Sequence, residues 1–285
     1  MRNVRKLNAA VPAGVALALS GGFARGFAHL GVLAALEEHD IPVASIAGTS
    51  IGSVLGAAYA GGMSIDDMLA LGRSTTFRKF GRWCVSRLGL ATNEPLGEMI
   101  RHCFPAQRFE ELGLPLAVVA TDLGTGEPVV FRHGDLAEAI RASCAFPGLF
   151  EPVEVEGRCL ADGGLVAPVP TEAAAAMGGA CVVGVSLDYY QWDGALPTNI
   201  FQLVTRAVSA AQKHQGAIWK SHAAVLIEPQ LNTFGWDEFD RAEEAMAAGV
   251  TAAERAMPRL RELLDQRPRP TSITPRDSPP TLRPS

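Results

Sequence analysis

Strand-length apolar runs alternate with helix-patterned segments through most of the chain, and this alternation restricts the fold more than any other feature. The runs are "VALALS" (15–20), "ASIAG" (44–48), "LAVVATD" (116–122), "PVVF" (128–131), "CVVGVSL" (181–187) and "AVLIEP" (224–229). Between them the pattern predicts helices at about 26–39, 50–60, 64–72, 96–103, 135–143, 171–178, 199–219 and 238–264. Strands apolar along their whole length suit a sheet buried on both faces, and a helix between successive strands supplies the crossover that parallel pairing needs. The expectation is an α/β chain whose mostly parallel sheet is covered on both sides. Gly113, Pro115, Gly124 and Gly126 punctuate loops rather than a domain boundary, and no internal repeat interrupts the reading. One domain is therefore expected over 1–266. From residue 267 the sequence "RPRPTSITPRDSPPTLRPS" has too little apolar surface to bury and predicts a disordered tail over 267–285.

Composition narrows the function classes. With 48% apolar residues the chain can bury a large core, and a net charge of -5 argues against a nucleic-acid partner. The five cysteines, at 84, 103, 144, 159 and 181, include no C-x-x-C pair. They fit free thiols in a reducing compartment, and no Cys/His spacing matches a zinc site, so neither metal nor cofactor is expected. The start, "MRNVRKLNAAVPAGVALALSGG", has the basic opening of a signal peptide, but Pro12 and Gly14 break its short apolar run. "VALALS" reads instead as the first core strand. No stretch reaches the roughly 18–20 apolar residues that cross a bilayer. The expected setting is the cytoplasm, at or near the inner membrane surface.

Three motifs carry chemistry. After the first strand, "SGGFARGFAHLGVL" places Gly21, Gly22 and Gly26 at a helix start, where unpaired N–H groups and the helix dipole favour an anion. The dinucleotide fingerprint fails, because Phe23 stands where its second glycine belongs. A P-loop fails as well, because Phe27 and Ala28 replace the required Lys and Ser/Thr. An oxyanion hole uses the same donors. The second strand ends in "GTSIG" (48–52), which fits a tight strand-to-helix turn that lifts the Ser50 hydroxyl clear of the sheet between Gly48 and Gly52. In a parallel sheet the ends of the first two strands lie on one side, so the two loops can meet. The third motif, "LADGGLVAPVP", sets Asp162 before Gly163 and Gly164. By itself it reads as an Asx-turn or loop cap; beside an oxyanion loop and a serine elbow, the carboxylate also has a proton to accept.

Taken in this order, "GGFARG" (21–26), "GTSIG" (48–52) and "DGG" (162–164) resemble the patatin-like phospholipases, particularly the bacterial lysophospholipase and esterase members. "ATDLGTGE" (120–127) and "RASCAFPGLFEPV" (141–153) also look like family segments, and the resemblance covers roughly 15–230. It implies a three-layer α/β/α sandwich and a serine acyl-ester hydrolase that uses a Ser–Asp dyad without histidine. By that resemblance Ser50 is the nucleophile and Asp162 its base. Gly21, Gly22 and Phe23 form the oxyanion loop, with Arg25 as its basic residue. Two positions depart from the pattern: Phe23 where many members have glycine, and Ser20 where plant members have Asp.

Two other classes remain open in the sequence. A Ser–Asp–His hydrolase would place its histidine after the acid, where His214 and His222 stand. A lipid-binding or scaffold protein with a relic site is the second. The partner expected is a lipid or other acyl ester. Segment 73–89, "RSTTFRKFGRWCVSRLG", carries five bases and no acid, with Phe77, Phe80, Cys84 and Leu88 at helical spacing. It reads as a basic amphipathic helix that is packed on the protein, forms a lid, or lies on anionic lipid. Oligomeric state is not legible.

Overall fold

The computed structural model describes residues 14–74, 77–84, 86–187, 196–231, 234–235 and 237–266. The N-terminal residues 1–13 and the tail expected from 267 lie outside them. The strands are β1 (Val15–Leu19), β2 (Val43–Thr49), β3 (Arg82–Trp83), β4 (Ala91–Thr92), β5 (Leu116–Asp122), β6 (Pro128–Phe131), β7 (Val153–Val155), β8 (Arg158–Asp162), β9 (Val182–Val185) and β10 (Val225–Ile227). The helices are α1 (Phe27–Glu38), α2 (Ile51–Ala60), α3 (Ile65–Arg73), α4 (Phe77–Phe80), α5 (Glu94–Cys103), α6 (Leu136–Ser143), α7 (Thr171–Met177), α8 (Ile200–Ser221) and α9 (Ala242–Asp265). β10, β9, β1, β2 and β5 pair in parallel in that order, and helices cover both faces in a three-layer α/β/α sandwich.

The period-two alternation of the strands sorts side chains by size. Val15, Leu17 and Leu19 of β1, Ile46 of β2, and Leu116 and Val118 of β5 face one layer, with the buried residues of α1, α2 and α9. Ala16, Ala18, Ala47, Ala117 and Val119 face the other, against Ala173 and Ala174 of α7 and Trp219 of α8. Every residue of β1 and β5 is buried, as two-sided cover requires.

Three strands join the sheet antiparallel: β6, at its expected place, and β7 and β8, where the sequence pattern is weakest. β7 and β8 were not among the expected strands: β7 is three residues long and β8 opens with exposed Arg158 and Cys159. Their pairing nevertheless brings two of the motifs together. β6 pairs with 118–121 of β5, overlapping both β2 (116–119) and β8 (120–122) along that strand. A strand has two edges, so β2 and β8 must share the one that β6 leaves. They run in opposite directions and meet end to end, with Thr49 opposite Val119 and Asp162 opposite Ala120. β5 thus brings the end of the "GTSIG" strand against the end of the "LADGG" strand.

One expectation is corrected. The helical periodicity of 73–89 does not give one amphipathic helix. α4 covers only Phe77–Phe80, and the chain then forms the antiparallel ribbon β3–β4. The cause is tertiary: the ribbon closes through Cys84 N–H to Leu90 O (3.1 Å) and is held to the body through Leu90 N–H to Leu149 O (3.0 Å). Among the described residues no helix is long and apolar enough to cross a membrane.

Candidate active site

Ser50 sits between β2 and α2 with φ 53° and ψ -125°, a left-handed backbone that a residue with Cβ adopts only at a cost of about 1–3 kcal/mol. The surroundings over-determine it. Its N–H donates to Ser143 Oγ (2.8 Å), and Ser143 in turn donates to Val119 O (2.6 Å), bridging the point where the ends of β2 and β8 meet. Its carbonyl accepts from Ser53 N–H (2.8 Å) and from the Ser53 hydroxyl (2.6 Å).

The two glycines of the motif are fixed by space. A Cβ on Gly52 would stand 2.2 Å from Leu19 O, and one on Gly48 2.5 Å from Ser53 Cα. Both obstacles are backbone and cannot rotate away. Gly52→Ala is expected to destabilise the protein by about 3 kcal/mol, seen as a melting temperature lower by roughly 6–10 °C. An unchanged melting temperature would mean that α2 and β1 do not approach this closely.

Asp162 is 4% exposed. One carboxylate oxygen accepts from Gly164 N–H at 2.7 Å, which is the Asx-turn reading, and the Ser50 hydroxyl lies within hydrogen-bonding reach of the same group. The two readings of this motif are therefore compatible. Burial raises the Asp162 pKa from 3.8 to about 6, against the opposing pull of the hydrogen bonds from Gly164 and Ser50. Gly163 lets the chain pass Val119, whose carbonyl would lie 2.1 Å from a Cβ there. Cys144 lies beside the pair. Burial, and then the Asp162 charge, push its thiol well above the ordinary range, so it is not a competing thiolate.

The glycine loop folds onto Ser50. A Cβ on Gly21 would lie 3.3 Å from Ser50 Cβ, and among the described residues nothing accepts the N–H of Gly21 or Gly22. Phe23 adopts φ 51° despite its side chain, and its ring packs edge-on against Phe146 with centroids 5.5 Å apart. Gly26 packs against Ile51 at the start of α2. Ser20 ties the loop to the sheet: its hydroxyl donates to Gly21 O and accepts from Leu187 N–H, both at 3.0 Å.

Two residues brace the loop from outside. Fully buried His29 donates from Nε2 to Ser20 O (2.9 Å), and desolvation lowers its pKa to about 4, so it is neutral. Arg25 donates from its Nε (2.9 Å) and from a terminal nitrogen to Phe234 O, clasping the loop to the segment before α9. Lysine cannot make that planar fork. Under the ester-hydrolase expectation drawn from the sequence, Arg25→Lys should lower kcat about tenfold on neutral and anionic esters alike, with KM little changed. A loss confined to anionic esters would instead assign Arg25 to substrate recognition.

These loops open into a cavity of about 370 Å³, in the range of small-molecule sites. Ser50, Asp162 and Gly21–Phe23 line one end, while α8 contributes Val208, Gln212, Gly216 and Trp219 along its length. Gln212 and Gln215 donate to Gly164 O (2.8 Å) and Leu165 O (3.2 Å), pinning α8 over the Asp162 turn. His214 and His222 are exposed and do not line this cavity. Ser143, His29 and Gln212 were not singled out from sequence. Only Gln212 leaves a signal, in its helical spacing from Val208 and Trp219.

The sequence model of the patatin-like phospholipase family matches residues 17–175. An uncharacterized NTE family protein of Mycobacterium tuberculosis is 40% identical over 177 residues, covering 61% of this chain and 49% of that protein. Patatin-like phospholipase domain-containing protein 6 of Mus musculus is 32% identical over 189 residues, covering 61% of this chain and 13% of that protein. The chain spans about half the length of the mycobacterial relatives it matches. Among solved structures, VipD from Legionella pneumophila aligns over 93% of this chain and 72% of that one, with 16% identity and a TM-score of 0.49.

Proposed function

The chain belongs to the patatin-like phospholipase family, and from that premise we propose that it is a serine lipid acyl hydrolase working through Ser50 and Asp162. The observation that carries the reading is one juxtaposition. A serine on a strained turn faces a buried carboxylate, at the end of a cavity roofed by α8 and beside two backbone amides that no described residue engages.

In the proposed cycle Ser50 Oγ attacks the ester carbonyl carbon while Asp162 takes its proton. The N–H groups of Gly21, Gly22 and Phe23 receive the negative oxygen as the tetrahedral centre forms. Each such donor is worth about 3 kcal/mol in a preorganised site. Collapse expels the alcohol, which takes the proton from Asp162, and leaves an acyl-Ser50 ester. Water, with Asp162 again as base, releases the fatty acid. The raised pKa of Asp162 makes it a better base than an exposed carboxylate, yet leaves it mostly ionised at neutral pH. The α2 N-terminus favours negative charge on Oγ.

The substrates proposed are phospholipids or lysophospholipids. Incubation with a phospholipid, a lysophospholipid and a soluble short-chain ester should release fatty acid from at least one. A fluorophosphonate probe should leave its adduct on Ser50. No hydrolysis of any of the three, with no adduct, would favour the lipid-binding alternative.

A further inference from the structure

Six of the nine large apolar side chains exposed among the described residues fall into two groups. Trp83, Leu88 and Leu90 stand on the β3–β4 ribbon, and Leu196, Ile200 and Leu203 stand on and just before the first turn of α8, all between 48% and 82% exposed. The two groups flank one buried cluster. Ala91 of the ribbon belongs to the Phe146–Leu149–Phe150 cluster, while Val204 and Val208 of α8 pack against it. Phe146 and Val208 also line the cavity beside Ser50. A cover over both groups would therefore lie next to residues that line the cavity.

Charge selects among possible covers. Lys79, Arg82 and Arg87 are exposed on or next to the ribbon, and residues 73–89 contain no acid. The facing acids are Glu94, bound to Arg82 at 2.7 Å, and Glu151, beside Cys84. A tryptophan and aliphatic tips with bases around them are the chemistry of an interface between hydrocarbon and anionic head groups.

We propose that the β3–β4 ribbon and the N-terminal turn of α8 form a single docking surface for an anionic phospholipid bilayer, set so that an acyl ester passes between them over Phe146 to Ser50. This rests on the lipid hydrolase reading for its purpose, but not for its test, since docking needs no turnover.

The test uses the full chain, the double variant Leu88→Asp/Ile200→Asp and Arg87→Glu. Each is sedimented with vesicles of phosphatidylcholine alone or mixed with phosphatidylglycerol, and assayed on a soluble short-chain ester. The parent protein should bind the mixed vesicles more tightly than the neutral ones. The double variant should lose on the order of tenfold in binding, and Arg87→Glu should lose the preference for anionic lipid. Both should turn over the soluble ester within about twofold of the parent. Absence of vesicle binding by the parent, or binding unchanged in the double variant, overturns the proposal. So does a parent dimer that the double variant converts to a monomer, which would assign the surface to a second copy. A parent inactive on the soluble ester but binding vesicles as expected would instead refute the hydrolase reading and leave the surface standing.

Discussion

Ser50→Ala should lose ester hydrolysis by roughly five orders of magnitude and all labelling by a fluorophosphonate, while its melting temperature stays within a few degrees of the parent. The fold should tolerate the change because the Ser50 side chain caps nothing: α2 receives no side-chain hydrogen bond from it, and the turn is held through its backbone by Ser143 and Ser53. Alanine keeps the Cβ and hence the strain at φ 53°. Ser50→Gly removes that strain and should melt higher than Ser50→Ala by a difference worth about 1 kcal/mol, though both are inactive. That contrast separates the reactive hydroxyl from the conformation that presents it. Labelling that persists at another serine would overturn the assignment of the nucleophile.

The sequence carried the parallel strands and the antiparallel β6 well and missed β7 and β8, for a physical reason. β1, β2, β5 and β9 are buried on both faces, so apolar pressure acts at nearly every position. β7 and β8 are short, and their exposed positions read like loop, so Asp162 was found from its glycines and not from the strand that delivers it. The ribbon at 82–92 went the other way: helical spacing was present, but pairing between Arg82–Trp83 and Ala91–Thr92 won. The braces around the site were invisible for a further reason. Ser143, His29 and Gln212 acquire roles only through partners 93, 9 and 48 positions away, the nearest of them a backbone carbonyl that no pattern announces. Motifs name the groups that would react, and tertiary contacts decide what holds them.

Asp162→Asn should lower turnover by roughly three to four orders of magnitude while raising stability at neutral pH, a pairing that a purely structural aspartate would not give. The variant keeps the oxygen that accepts from Gly164 N–H, so the turn should survive. What it loses is the ability to take a proton from Ser50. In the parent the Asp162 pKa is raised from 3.8 to about 6 by burial, so the native state binds this proton more tightly than the unfolded state. The associated stability is fully present below about pH 3.8 and is lost as pH rises to about 6, where the difference amounts to about 3 kcal/mol. Asparagine has no such titration, so the stability gap between variant and parent should open across that window and stay constant above it. Activity moves oppositely, since the base must be ionised. The parent's kcat/KM should fall about tenfold between its plateau and pH 5, following a single ionisation near 6. His214→Ala and His222→Ala should leave this profile in place and turnover within a few-fold, because neither side chain lines the cavity. If one of them instead removes both activity and the ionisation, a histidine is the base and Asp162 only orients it.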